Sequence, residues 1–299
     1  MEELGNVLIT GATGYIGSKL SKYLLESGYK VSVIVRPDSS LENLKDIQGN
    51  IDFFTYDGSY KSLEMVFESR KYVAAFHLAS LSTFSCSGKD IPLMINSNIT
   101  FLAQLLEAMS NYNCPLLINT STYSQFDKDG SYLPINLYAA TKQAAEDIIE
   151  FYCLSRGISS ISLRLYDVYG TGDKREKFLT LLNKAHANNE TLDMTQGQQK
   201  IIMLYIDDVV RAYHVACELL KNDDSYRHKH TKYFLPAEKN TLKDIVEKYA
   251  AVSQKQIKIN WGKLDYRPNQ IMDPAFEEGL PNWKVQVSLE EGMKKVACE

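Results

Sequence analysis

The chain has 299 residues, 44% of them hydrophobic, with a formal net charge of -4 and a pI near 5.8. That length and apolar share suffice for one large α/β domain or two closely joined ones around a substantial core. No basic field is present to draw the chain to nucleic acid or acidic lipid, so small-molecule chemistry is the expectation, with no nucleic-acid or membrane partner.

The first segment, "MEELGNVLIT", is acidic and runs directly into a short apolar run, without the features of an export signal. No later stretch approaches the roughly 18 apolar residues that span a bilayer. Cys86, Cys114, Cys153, Cys217 and Cys298 are scattered and never paired at short spacing, which fits reduced thiols and a cytoplasmic location.

In chain order, short apolar runs alternate with helical periodicity: "NVLIT" (6–10), "VSVIV" (31–35), "IDFFTY" (51–56), "YVAAFHLA" (72–79), "PLLINT" (115–120) and "ISSISLRL" (158–165). Between them Ile16, Leu20 and Leu24 keep a spacing of four, and Leu102, Leu105, Leu106 and Met109 form an i, i+3, i+4, i+7 stripe. Strands alternating with such helices predict an α/β fold, a Rossmann-type doubly wound parallel sheet. The polar stretch "KNDDSYRHKHTK" (221–232) reads as a surface loop, with His228 and His230 solvated.

After the first run comes "TGATGYIG", with Gly11, Gly14 and Gly17 ahead of an amphipathic helix. Glycines there allow a tight turn and let the backbone approach a pyrophosphate at the helix N-terminus. Thr13, Tyr15 and Ile16 share this segment and are counted with the cofactor site. At the end of the second run, "VIVRPDSS" has Arg36 where an acidic side chain would receive the ribose hydroxyls of NAD. Arg36 can hold a 2′-phosphate, with Ser39, Ser40 and Lys45 nearby, so NADP is preferred over NAD. The other reading makes Arg36 a solvated cation and gives the ribose to Asp38.

In "LYAATK", Tyr138 and Lys142 lie one helical turn apart and share a face. A phenol with a pKa near 10 is a poor acid–base group at neutrality, whereas a nearby ammonium and an oxidised nicotinamide favour its ionised form. Upstream, "INTSTYSQF" (118–126) ends the fifth run in hydroxyls able to bind a substrate oxygen beside Tyr138. The bland reading of an isolated Tyr-x-x-x-Lys is a solvated helix face.

Taken together, "GATGYIG", "YDGS", "FHLAS", "NITFLAQLLEA", "INTST", "YAATK", "LRLYDVYGTG", "YIDDVVRAY" and "YRPNQI" resemble the extended short-chain dehydrogenase/reductases, the NAD-dependent epimerase/dehydratase group acting on nucleotide sugars. The resemblance implies a smaller C-terminal substrate-binding lobe. It places the break near residue 168, giving 1–168 and 169–299, with 201–220 packing back on the first part. It assigns Thr122 as the catalytic hydroxyl, Tyr138 as acid/base, and Lys142 to the nicotinamide ribose. Asp57 and Gly58, the run Leu78, Ala79 and Ser80, and Asn98 fall to the cofactor; Thr83, Asp167, Lys177, Lys200 and Arg267 fall to the substrate. Arg267 would meet the diphosphate, or alternatively pair with Asp265 or Asp273.

Dehydratases of the group carry an Asp-Glu pair after the catalytic threonine; Tyr123 and Ser124 stand there, which argues against elimination of water. "YGTGDKREKF" and "WGKLDYRPNQIM" are similar to nucleotide-sugar 4-ketoreductases of the CDP-abequose synthase type, implying NADPH-dependent reduction of a nucleotide-linked 4-keto-6-deoxyhexose for surface polysaccharide (O-antigen). An epimerase with tightly bound NAD and a non-catalytic dinucleotide sensor remain as alternatives. Asp167 stands where the group commonly has asparagine and Ile201 where many have arginine, with Lys200 beside it to compensate. The five histidines supply no metal set. The helix from Leu137 to Arg156 matches one that pairs across a two-fold axis in the group, so a homodimer is expected; its apolar face could otherwise complete the protomer's own core.

Overall fold

The structure, a computed structural model, describes residues 4–83, 86–275 and 278–298. The six apolar runs fold as β1 (Asn6–Thr10), β2 (Lys30–Val35), β3 (Asp52–Thr55), β4 (Ala74–His77), β5 (Leu116–Thr122) and β6 (Ser159–Leu165). Six further strands follow: β7 (Asp167–Tyr169), β8 (Thr191–Asp193), β9 (Lys200–Tyr205), β10 (His230–Phe234), β11 (Lys239–Thr241) and β12 (Lys258–Asn260). The helices are α1 (Tyr15–Glu26), α2 (Tyr60–Ser69), α3 (Ile91–Ile95), α4 (Phe101–Asn111), α5 (Leu137–Arg156), α6 (Phe178–Ala187), α7 (Ile206–Asn222), α8 (Leu242–Ser253) and α9 (Leu289–Ala297).

Seven strands form one sheet in the order β3-β2-β1-β4-β5-β6-β10. β1 pairs parallel with both β2 and β4, β2 with β3, and β4 with β5. The chain therefore winds outward from β1 in one direction and restarts at β4 in the other. That reversal leaves a crevice beyond the carboxyl ends of β1 and β4. The expected α/β doubly wound sheet is what forms.

The chain divides into two interleaved compact units, one of residues up to 122, 136–164 and 210–233, the other of 123–135, 165–209 and 234 onward. In the first, Leu102, Leu105, Leu106 and Met109 of α4 are fully buried, as the spacing requires, and pack with Leu63 and Phe67 of α2 and Ile149 and Cys153 of α5. Each such side chain stabilises the fold by roughly 1.5–3 kcal/mol relative to exposure. The second unit contains a three-stranded sheet, β11-β9-β7, and a two-stranded one, β12-β8. Its C-terminal helix α9 starts at a capping box made by Ser288 and Glu291, and Gly292 is required because a Cβ there would collide with the Tyr169 phenol.

The 221–232 stretch departs from the surface-loop expectation. α7 continues to Asn222, a 3-10 turn covers Asp224–Tyr226, and β10 begins at His230. Ser160 N–H donates to the Lys229 carbonyl at 2.8 Å, so the otherwise open edge of β6 recruits this polar segment as a strand. His230 is buried rather than solvated, its Nε2 is 2.8 Å from Ser162 Oγ, and burial pushes its pKa down to about 3.

Candidate active site

The glycine loop lies at the crevice, directly after β1. Gly11 has φ +71° and a Cβ on it would come within 2.6 Å of the Ala79 nitrogen, while a Cβ on Gly17 would collide with the Gly11 carbonyl. Gly11 lets the turn close against the segment after β4, and Gly17 lets α1 pack on the turn itself. Gly14 caps α1 with no side-chain hydrogen bond, and the first turn contains no acidic residue, which leaves the helix N-terminus electrostatically fit for an anion. Thr10 locks the two strand ends together, with Oγ1 2.9 Å from His77 Nδ1 and accepting from Ala79 N at 3.2 Å. Burial, with the Lys142 charge assisting, holds the His77 pKa down to about 3, so this ring is neutral.

A cavity of about 410 Å³ in the first unit is lined by Gly11, Thr13, Gly14, Arg36, Leu78, Ala79 and Ser80, together with Ser39 and Tyr56. Tyr15, Ile16 and Gly17 form the first turn of α1 beneath it. Arg36 is exposed, with Nε 3.5 Å from Asp38 Oδ1, and its backbone N–H donates to Ser39 Oγ at 3.0 Å. Asp57 is outside the cavity lining; its Oδ1 accepts from Ser59 N and Ser59 Oγ at 2.8 and 2.7 Å, which holds its carboxyl below the usual range. Gly58 follows in the left-handed region, φ +98°. Asn98 is buried in a π-type turn between α3 and α4, where its Oδ1 accepts from Ser80 Oγ and Leu81 N and its Nδ2 donates to the Leu81 carbonyl and Thr141 Oγ1. Thr141 Oγ1 in turn donates to the Tyr138 carbonyl at 2.7 Å, so Asn98 joins the segment after β4 to the helix that carries the tyrosine.

α5 begins just before that tyrosine because Asn136 caps it, its side chain accepting from Ala139 N at 2.9 Å. Lys142, only 3% exposed, donates from Nζ to the Thr120 carbonyl at 2.9 Å, with Nζ 5.9 Å from the Tyr138 ring centroid. Desolvation brings the Lys142 pKa down to about 8, against the opposing effect of Glu146. The half-buried Tyr138 has its pKa raised by desolvation, with the hydroxyls of Ser82 and Ser80 opposing the shift. The shift in the free protein is therefore opposite to the expected depression, because desolvation dominates.

Strand alternation separates the three hydroxyls at the end of β5. Ser121 Oγ donates to Glu146 Oε1 at 2.6 Å on the α5 side, where Arg164 also binds Glu146 through Nε at 3.2 Å and Nη2 at 2.8 Å. Thr120 points to the opposite face, with Oγ1 2.6 Å from the Tyr213 phenol of α7. Thr122 shares Thr120's face and is 8% exposed. Thr83 Oγ1 is buried without a hydrogen-bond partner among the described residues.

The second unit has its own cavity, about 500 Å³, lined among others by Asp167, Lys177, Ile201 and Arg267. Asp167 has its pKa raised by burial, opposed by the Lys177 and Arg175 cations and by a hydrogen bond from the Tyr123 phenol. Tyr123, one of the two residues replacing the dehydratase acids, is thus committed to Asp167 and packs with its ring tilted against Tyr166 at 5.1 Å between centroids. Lys200 is absent from the cavity lining and pairs with Asp273 at 2.6 Å, as does Lys239. Sequence reasoning missed Asn183, Asp193 and Gln199 of this cavity, and Tyr213 of the first unit. They lie in no contiguous motif, and only the folded chain collects them.

The NAD dependent epimerase/dehydratase family model matches residues 7–229. The chain is 27% identical over 297 residues to a CDP-abequose synthase of Salmonella muenchen, covering 97% of this chain and 96% of that one. It is 25% identical to a UDP-glucuronate 4-epimerase of Thermodesulfobacterium geofontis, covering 98% and 95%. A UDP-glucuronic acid 4-epimerase from Bacillus cereus, solved with NAD, superposes with a TM-score of 0.84 at 23% identity over 98% of each chain, a likeness of fold.

Proposed function

We propose, from the premise that this chain belongs to the NAD-dependent epimerase/dehydratase family and is a nucleotide-sugar-modifying enzyme, that it is an NADPH-dependent reductase of a nucleotide-linked 4-keto-6-deoxyhexose. The sugar carrier is CDP or dTDP, and the product serves surface polysaccharide. The observation that carries the oxidoreductase reading is the buried Lys142 ammonium, tethered to the Thr120 carbonyl one helical turn from Tyr138. A cation buried that deeply is costly, and its use is to balance a phenolate.

The glycine loop, the uncapped start of α1 and the cavity bearing Arg36 fit a dinucleotide with an added phosphate, and NADPH bound there would supply the hydride. Thr122 donates a hydrogen bond to the C4 carbonyl oxygen and orients it. Tyr138, neutral in the free protein, gives its phenolic proton to that oxygen as charge develops, and Lys142 stabilises the phenolate left behind. Arg267 and Lys177 hold the diphosphate. With Tyr123 and Ser124 in place of acids, no carboxylate follows Thr122 to drive dehydration.

A second reading, an epimerase with retained NAD, is favoured by the similarity to 4-epimerases and by Asp38 standing 3.5 Å from Arg36. Incubation with NADPH or NADH and CDP-, dTDP-, UDP- and GDP-linked 4-keto-6-deoxyhexoses, following nicotinamide absorbance, separates the two. Oxidation of NADPH with keto sugar is expected; inversion of a hydroxyl sugar without net cofactor use would establish the epimerase instead. We also propose a cytoplasmic homodimer through α5, whose Phe151 and Leu154 are 52% and 72% exposed, with light scattering as its test. Among the described residues no helix is long and apolar enough to cross a membrane.

A further inference from the structure

Thr120 is held by helices on opposite faces of the sheet. The register of β4 with β5 ends at His77 opposite Asn119, one residue before Thr120. Beyond that point the Thr120 carbonyl accepts from Lys142 Nζ of α5 at 2.9 Å, while its Oγ1 lies 2.6 Å from the Tyr213 phenol of α7. One residue thus links the ammonium beside Tyr138 to a second phenol.

The direction of the second bond follows from burial. Tyr213 is fully buried, and Thr120 Oγ1 is the only side-chain hydrogen-bond partner of its hydroxyl among the described residues. Were Thr120 the donor, the phenolic proton would be buried without an acceptor, which folding strongly disfavours. Thr120 is half-buried, so its own hydroxyl proton has access to solvent or ligand. Tyr213 is therefore the donor and Thr120 Oγ1 the acceptor. Burial pushes the Tyr213 pKa up, the Thr120 bond opposes this, and charge on Tyr138 pushes it further up. Tyr213 consequently keeps its proton, and its hold on Thr120, even when Tyr138 ionises.

Lys142 is the group sensitive to that hold. Desolvation brings its pKa down to about 8 against the effect of Glu146, and a hydrogen bond to the charged form favours the ammonium. Besides the Thr120 carbonyl, Lys142 faces Tyr138 and Glu146 on its own helix and the neutral His77 of β4. None of these is altered by a change at Tyr213.

We propose that Tyr213 is a positioning residue for the hydride-transfer centre: by fixing Thr120 it sets where the Lys142 ammonium stands against Tyr138 and the nicotinamide ribose. The inference rests on the nucleotide-sugar oxidoreductase reading and adds to it a residue that acts through another.

Tyr213→Phe keeps the buried ring and removes the hydroxyl; Thr120→Val keeps the carbonyl and replaces Oγ1 by a methyl group. In NADPH-dependent reduction of the keto sugar, each is expected to lower kcat about tenfold with KM for the sugar within about twofold, because a displaced catalytic group costs rate rather than binding. The high-pH limb of kcat/KM should move down by about half a pH unit or more as the ammonium loses a well-placed acceptor. The double variant should match the single ones within about twofold, since both break the same bond. Thr120→Ser, which keeps the hydroxyl, should retain the parent's limb. A purely structural Tyr213 would lower the melting temperature and leave the limb in place; that result, or additive losses in the double variant, would overturn the proposal. If the parent inverts a hydroxyl sugar rather than reducing a keto sugar, the reductase reading falls, and the same profile taken on inversion still decides the role of Tyr213. If it turns over no sugar, both reactions fall and the pH dependence of NADPH binding decides, with an unshifted dependence in Tyr213→Phe overturning the proposal.

Discussion

Glu146 and Arg164 form an ion pair with side chains 0% and 8% exposed, and Glu146 also accepts from Ser121 at 2.6 Å. Replacing Glu146 by Gln keeps the shape and removes the carboxylate charge that faces the buried Arg164 guanidinium. Breaking one partner of such a pair costs about 3–5 kcal/mol. At about 2.1 cal/mol/K per residue, 299 residues give an unfolding entropy near 0.63 kcal/mol/K, so the melting temperature should fall by roughly 5–8 °C. Adding Arg164→Met, which removes the other charge of the pair, should recover much of the loss. Glu146→Gln also removes the group that holds the Lys142 pKa up against desolvation, so that pKa should fall below about 8. Because the ammonium is the working form, the high-pH limb of kcat/KM should move to lower pH. Calorimetry and a pH–rate profile measure the two effects. A melting temperature within a degree of the parent, or a double variant no better than the single one, would refute the claim that the pair is coupled through burial.

Tyr138→Phe should bind NADPH as the parent does while losing about 10²- to 10⁴-fold in kcat, and undiminished turnover would remove Tyr138 from its role. Arg36→Ala should raise KM for NADPH by roughly 10- to 100-fold with little change for NADH, since a charge-assisted bond to the 2′-phosphate is lost; equal effects on both would show that Arg36 holds no such phosphate. The folded pKa of His230, about 3, lies below its ordinary 6.5, so the unfolded chain binds the extra proton between those values. Stability is therefore expected to fall as pH drops from about 6.5 to 3, by up to about 1.4 kcal/mol per pH unit from this residue. His230→Gln should flatten that slope in denaturant titrations at successive pH values, and an identical slope would count against a neutral buried His230.

The sequence by itself determined the elements whose signal is local. Strand β1, the glycine array and the i, i+3, i+4, i+7 stripe of α4 depend on neighbours a few residues apart, and such periodicity survives in one dimension. Tyr138 and Lys142 could likewise be placed on one helix face by counting. Only tertiary structure decided what those groups experience. Burial, which sums over the whole fold, raised the Tyr138 pKa, opposite to the direction expected from the Tyr-x-x-x-Lys spacing. Strand alternation sent Ser121 to Glu146 and Thr120 to Tyr213, 93 positions away, a distinction invisible in three consecutive hydroxyls. The end of the polar 221–232 stretch, from His230, became a strand because β6 presents an edge whose backbone needs partners, and hydrogen-bond demand outweighs composition there. Asn183, Asp193 and Gln199 likewise meet at one cavity only because α6, β8 and the segment leading into β9 are folded around it, since long-range packing leaves no periodic trace along the chain.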